Sequence, residues 1–389
     1  MIELHQPEIQ QFIDDHLNDQ PAELMLKASQ FPDWPMKAIV EQIVSKKKAQ
    51  SKLPKWFSTE GMIWPPVISM EQCSSELTAK YKASLVSGRT MADLTGGFGV
   101  DTYYLANSFD EATHVEMNEN LHLLVAQNFK ALKSGISAVL GTAETYLNQM
   151  APVDLIYIDP ARRNENAQKV VFLEDYSPNV IEMLPVLRSK AKQILIKVSP
   201  MLDIKKAISD LAEVAEVHVV AVKNEVKELL FLLDQCVSPS PKVKAVNLGE
   251  REEVFEFSYM LEESSEVELS EVLAYLYEPN AAILKAGAFK SIGHQYGLKK
   301  LQVNSHLYTS ETLVEEFPGR SFKVVEELSM NKKIGKQLPS LQANITVRNY
   351  PMSVNEIRNK TGLKEGGSQY IFATTDIASK KVLLCEKVK

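Results

Sequence analysis

Apolar residues recur at i, i+3 and i+4 through the first 75 positions. "PEIQQFIDDHL", "AELMLKAS" and "PMKAIVEQIVSKKKAQ" each show this spacing, which predicts helices punctuated by prolines. "KLPKWFSTEGMIWPPVIS" breaks the period and reads as an extended connector with buried tryptophans. "EQCSSELTAKYKASLVS" reads as a Ser-capped helix. From 90 to 235 the pattern alternates, with strands expected at "TMADL", "ATHVEM", "SAVLG", "DLIYID", "QILIKVS", "VHVVAV" and "LLFLLD". Helical stretches separate the first six, as a parallel, doubly wound sheet requires. Only "KNEVKE" lies between the last two, too short for a crossover, so that pair is expected to be antiparallel. "CVSPSPKVKAVNLGE", 236 to about 250, reads as a proline-rich linker. Beyond it, "EVFEFSYML", "SFKVVEEL", "QANITVRNY" and "KVLLCEKV" read as strands. "SEVLAYLYEPNAAILKAGAFKSIGHQYG" reads as helical, giving a mixed α+β end to the chain.

A chain of 389 residues exceeds one ordinary domain. The pattern divides it into a helical region over 1–75, an α/β domain over 76–236, a linker with a small subdomain over 237–300, and a last domain over 301–389. Apolar content of 45% and charged content of 24% are those of a soluble globular protein. The chain has no apolar run of membrane-spanning length, and its acidic, polar start does not read as a signal peptide. Cys73, Cys236 and Cys385 lie far apart without metal-ligand spacing, which fits buried thiols in a reducing cytoplasm. The seven histidines are scattered, so no catalytic metal is indicated. Net charge is −7 but uneven. Residues 281–389 carry 17 Lys+Arg against 9 Asp+Glu (net +8), leaving 26 against 41 (net −15) elsewhere. A basic end on an acidic protein points to a polyanionic partner or to a solvated surface.

Candidate chemistry begins at "MADLTGGFGVDTYYLA", a strand, an acid, a glycine turn and a helix. Gly97 and Gly99 match the first two glycines of a dinucleotide fingerprint, but Thr102 stands where the third belongs. Asp101 would oppose phosphates, and the phosphate-loop motif is absent. A strand-end acid, Asp93, suits a cationic amino group, and the turn at Thr95, Gly96, Gly97 and Gly99 offers N–H groups to a carboxylate. S-adenosylmethionine carries both. Glu116, 23 positions on, suits a ribose, and Met117 offers adenine a polarizable face. Thr142 and Ala143, after the third strand, supply the adenine edge. "DLIYIDPARR" places Asp159 and Pro160 at the carboxyl end of the fourth strand, where open α/β sheets bind ligands.

With "DLTGGFG", "HVEMNE" and "IDPAR" in this order, about residues 75 to 235 resemble the class I S-adenosylmethionine-dependent methyltransferases. The resemblance implies a Rossmann-like seven-stranded sheet with an antiparallel last strand. Thr95 departs from the family's first glycine, and Thr142 from its adenine-binding Asp, with Glu144 as the nearest substitute. "DPAR" is similar to the [DNS]-P-P-[aromatic] motif of enzymes that methylate base nitrogens, with Ala161 and Arg162 as replacements. That likeness implies catalytic roles for Asp159, Pro160 and Arg162, with Arg162 or Arg163 on a phosphate or a base, or paired with surface acids. Uracil-C5 methyltransferases, which share an Arg there, need a cysteine after the fifth strand. Here "IKVSPMLD" has Ser199, so nitrogen methylation, guanine first, is expected. Lys197 in that strand reads either as a core-edge lysine or as a substrate contact.

The C-terminal part, with "YEPNAAILKAGAFKSIGHQYGL", "FPGRSFKVVEE" and "NITVRNYPMSVNEIRNKTGLKEGG", resembles the THUMP-like module of bacterial methyltransferases, alongside a ferredoxin-like subdomain. It implies RNA binding, with tRNA or rRNA as partner and Lys332, Lys333, Lys336, Arg348, Arg358 and Lys360 as phosphate contacts. Tyr350 and Tyr370 would stack on bases or serve the core. Two other readings remain open: an RNA-binding protein that keeps the fold without turnover, and a methyltransferase for a small molecule or a protein.

Overall fold

The computed structural model describes residues 4, 6–162, 172–234, 240–331, 334, 338 and 340–388. The chain forms two compact units, Met1–Ala215 with Leu229–Val237, and Glu216–Glu228 with Ser238–Lys389. Among the described residues no helix is long and apolar enough to cross a membrane.

The first unit opens with the expected helices. Pro7–Asp15 and Pro21–Leu26 each start on a proline, which loses nothing at a position whose N–H has no helical partner. Met36–Lys52 buries Met36, Ile39, Val40 and Ile43, one apolar stripe. The tryptophan connector, expected to be extended, opens instead with a short helix, Pro54–Phe57, that buries Trp56. The stretch 62–66 lacks regular structure, and two buried amides hold it. Gln42 bonds both backbone groups of Trp64, and Asn128 bonds both of Ile63. The Ser-capped helix is two: Val67–Gln72, then Glu76–Ala83, where Ser75 accepts from the Thr78 amide.

The sheet of this unit contains β1 (Thr90–Asp93), β2 (Glu111–Glu116), β3 (Ser137–Leu140) and β4 (Val153–Ile158). A short ribbon follows, β5 (Ala161–Arg162) against β6 (Tyr176–Ser177), and then β7 (Ala191–Val198). β1 lies between β2 and β4, β3 outside β2 and β7 outside β4, all parallel. β8 (Val214–Val222) and β9 (Glu225–Asp234) form a hairpin, turning at Lys223 and Asn224, both at positive φ as a two-residue turn demands. β9 then lies antiparallel to β7, Ile196 opposite Phe231. This is the expected order: a doubly wound sheet closed by an antiparallel hairpin.

In the second unit β8 continues beside β10 (Lys242–Leu248), which pairs with β11 (Glu253–Phe257). The expected linker thus contains a strand. It buries Val243, Ala245, Val246 and Leu248, an apolar run that the neighbouring prolines masked. The stretch expected to be helical throughout also contains a strand, β12 (Tyr275–Pro279), before helices Ala281–Ala286 and Ser291–Tyr296. β13 (Lys299–Lys300), β14 (Tyr308–Ser310), β15 (Gly319–Glu327), β16 (Asn344–Val347), β17 (Gln369–Thr375) and β18 (Lys380–Lys387) complete a seven-stranded sheet, in order 13-14-12-15-18-17-16. β17 had no counterpart in the pattern reading.

Candidate active site

β1 ends on Asp93, and the chain turns through Thr95–Gly99 into helix Val100–Leu105. Gly97 and Gly99 adopt φ of 53° and 82°, where a side chain is strained. Gly96 donates its amide to the Val115 carbonyl at 2.8 Å and lies against His114. Asp93 is buried and braces this bend: Oδ1 accepts from the Thr95 amide and Oδ2 from the Thr102 hydroxyl. Thr102 also meets His114 Nδ1 at 3.0 Å. Burial holds that imidazole far below its ordinary pKa, at about 3, so it is neutral. Burial likewise pushes the Asp93 carboxyl up to about 7, against the two hydrogen bonds that favour its charged form.

The turn is also tied sideways. Thr95, the departure from a glycine, uses its hydroxyl to accept the Asp159 amide at 2.6 Å, joining the bend to the end of β4. Glu116, at the end of β2, accepts from the Gly97 amide at 3.0 Å and the Asn118 amide at 2.7 Å. Met117 beside it is 74% exposed. Thr142 caps helix Ala143–Gln149, accepting from the Thr145 amide, so its hydroxyl is engaged and its backbone is what remains for a ligand.

A cavity of about 420 Å³ opens over these strand ends. Asp93, Thr95, Gly96, Gly97, Gly99, Glu116, Met117, Thr142, Ala143 and Asp159 all line it, as does Glu144. Pro160 is buried and Arg162 lies off the cavity, its guanidinium donating to the Met201 sulfur at 3.9 Å. Arg163 lies outside the described residues.

Pattern reading missed one wall. Ser69, Gln72, Cys73 and Ser74, from the N-terminal helical region, face the glycine turn across the cavity. Cys73 is inert there, burial pushing its thiol up to about 11. Asp101 lines the cavity but is largely buried and engaged within the protein. It accepts from Ser74 Oγ at 2.8 Å and Tyr157 OH at 2.7 Å, with Lys82 Nζ at 3.2 Å and Lys197 Nζ at 3.9 Å. Burial opposes its charge, but the two ammonium groups and two hydroxyls outweigh it and hold the carboxyl below its ordinary range. No short sequence pattern announces such a cluster, since its members come from four elements.

Among the expected RNA contacts, Arg348 bonds the buried carboxylate of Glu278 at 2.8 Å and Arg358 pairs with Glu365 at 3.5 Å. Lys332, Lys333 and Lys336 lie outside the described residues. Tyr370 packs on Phe322, ring centroids 5.0 Å apart, and Tyr350 packs against a cluster around Leu328 and Leu363, the core alternative in both cases. Among the described residues no group of three potential ligands is arranged to hold a metal.

Residues 275–318 match the family described as a ferredoxin-like domain, and 319–387 the family described as THUMP domain-like. No curated protein matches the chain. Among solved structures, a "putative methyltransferase" from Porphyromonas gingivalis W83 shares 32% identity, covers 98% of each chain and superposes with a TM-score of 0.89. Two others overlap only in part. TrmK of M. capricolum, solved with S-adenosyl-homocysteine, shares 14% identity over 43% of this chain and 70% of its own, with a TM-score of 0.33. An rRNA methylase from Streptococcus thermophilus shares 14% over 40% of this chain and 93% of its own, at 0.30. These two overlaps are too slight to bear on function. The near-complete match is decisive: this chain belongs to the same family as the Porphyromonas gingivalis protein, a methyltransferase fold followed by ferredoxin-like and THUMP-like modules.

Proposed function

We propose that the protein transfers a methyl group from S-adenosylmethionine to a base nitrogen of structured RNA, guanine foremost. The observation that carries this reading is the cavity itself, which gathers the glycine bend, Glu116, Met117, Thr142 and Asp159 at one sheet edge. Its volume and acids fit the cofactor. Glu116 suits the ribose hydroxyls, exposed Met117 the adenine face, and Asp93 the ammonium. The amides of Thr95, Gly96, Gly97 and Gly99, expected to meet the carboxylate, instead donate within the protein to Asp93, Val115, Glu116 and Gly96. When bound, the cofactor supplies a methyl group already activated by a sulfonium, so the protein's task is positioning. Asp159 accepts an N–H of the acceptor base and orients its lone pair. The THUMP domain-like match supports RNA as the acceptor. The ion-paired states of Arg348 and Arg358 favour the second reading, a small-molecule or protein acceptor.

Tritiated-methyl transfer to RNA from cells lacking the protein, followed by nucleoside mass spectrometry, tests the proposal. Label confined to a nitrogen-methylated base is expected, and label on protein or small molecules alone overturns the RNA assignment. In this assay Asp159→Ala is expected to lower kcat by about 100-fold, with S-adenosylhomocysteine affinity within about threefold of the parent. A parent-like kcat removes Asp159 from the mechanism.

Cofactor binding is also expected to depend on pH. An ammonium beside Asp93 favours its charged form, so binding expels a proton near pH 7. Affinity should then rise roughly fivefold from pH 6 to pH 7, about twofold more by pH 8, and level off above. Calorimetry in two buffers of different ionisation enthalpy measures the released proton. Without ligand the sign is opposite for stability. The folded chain keeps this proton longer than the unfolded one, so stability falls as pH rises from about 4 to about 7.

A further inference from the structure

Asp159 is backed by a chain of charge that the proposed mechanism has not used. Lys197, on β7, places its ammonium 2.5 Å from Asp159 Oδ2 and 3.9 Å from Asp101 Oδ2. Asp101, on helix Val100–Leu105, is held in turn by Lys82 on helix Glu76–Ala83, whose side chain is fully buried. Four side chains thus alternate in sign from the cavity wall inward: Asp159, Lys197, Asp101, Lys82. Ser74 and Tyr157 pin Asp101 with hydrogen bonds, so the inner pair is rigidly placed.

We propose that Lys197 is a positioning residue for Asp159, fixing one carboxylate oxygen so that the other meets the acceptor nitrogen as an ionised hydrogen-bond acceptor. This rests on the reading of Asp159 given above. A lysine stem is flexible, and a carboxylate partner at each side of its ammonium removes that freedom before substrate arrives. Ionisation matters chemically. A protonated Asp159 would offer its O–H to the nitrogen lone pair, the pair that must attack. Burial raises this carboxyl above its ordinary range, and Lys197 is the strongest opposing influence. The other charged or titratable groups acting there are Asp101 and Lys82, with Asp93 on β1 and Tyr176 on β6 also coupled to Asp159. Asp101 reinforces the upward shift and Lys82 opposes it, so removal of Lys197 takes away the strongest opposing influence and drives the carboxyl further up.

The test uses the full chain and the tritiated-methyl assay as a pH profile, with S-adenosylhomocysteine binding by calorimetry as a second readout. Lys197→Met is expected to move the acid limb of kcat up by at least one pH unit, with S-adenosylhomocysteine affinity within threefold of the parent. Lys197→Arg keeps the charge but not its place. It is expected to leave the limb unmoved while kcat falls about tenfold at unchanged KM. A uniform loss in Lys197→Met with the limb unmoved overturns the proposal. If Lys197→Met does not fold, Lys197→Arg decides, and a parent-like kcat there overturns it. A parent protein that takes up no cofactor overturns the functional reading instead, and this inference with it. Parent turnover with an unmoved limb sinks this inference alone.

Discussion

Gly96→Ala is expected to destabilise the first unit strongly and to abolish cofactor uptake. A Cβ at this position would sit 2.0 Å from His114 Cε1 and 2.1 Å from Nδ1, distances that no side chain tolerates. Neither party can move away. The Gly96 amide is bonded to Val115, and the buried His114 ring packs edge-on to Phe129, centroids 5.3 Å apart. Overpacking of this kind belongs at the severe end of core substitutions, about 3–5 kcal/mol. For a unit of this size that lowers the melting temperature by roughly 10 °C. Adding His114→Ala should restore part of the loss, because it removes the ring that the methyl strikes, so the two changes are non-additive. Thermal melts of the single and double variants measure this. A Gly96→Ala protein melting within 2 °C of the parent would mean that the bend is not seated on His114.

Asp101→Asn is the second large effect. The substitution keeps the shape but removes the negative charge that Asp101 holds near both Lys82 and Lys197. Breaking a buried ion pair from one side costs about 3–5 kcal/mol, because the stranded cation remains desolvated. Lys82, fully buried, loses this counter-charge and keeps its hydrogen bond to Ser74 Oγ. Asp101→Asn with Lys82→Met should therefore be more stable than Asp101→Asn alone, although it carries one more change. The pH dependence follows from the depressed carboxyl. Its contribution is complete above the ordinary carboxylate range, near pH 4, and is lost as pH falls through the lower folded value. The parent should lose this increment in acid, and Asp101→Asn should show no such loss. Melting curves at pH 3 and pH 7 compare them. Equal stability of the parent and Asp101→Asn at pH 7 would deny the cluster its role.

Much of the site was legible from residue order because its parts are local. Asp93, the glycine bend and the helix that follows occupy one short stretch, and their positions are set by backbone conformations within it. Glu116 and Asp159 were legible because each ends a strand of an alternating pattern, and parallel strands bring such ends to one edge. The expectations that went astray failed for physical reasons of the same kind. Prolines at 239 and 241 suggested a linker, yet the apolar run behind them pairs with β8 as β10. The apolar run around Leu276 suits a helix as well as a strand buried on both faces, and pairing with β14 and β15 made it β12.

Order along the chain therefore dictates the alternating elements, the antiparallel closing hairpin, the bend and the acids at the strand ends. These depend on periodicity and turn chemistry, which act between near neighbours. The folded chain alone decides that an N-terminal helical region walls the cavity, that Arg348 serves Glu278, and that Asp101 serves two lysines. A charged side chain takes whichever partner packing brings within reach. Asp101 and Tyr157, 56 positions apart, meet only because β4 and the helix after β1 are packed together.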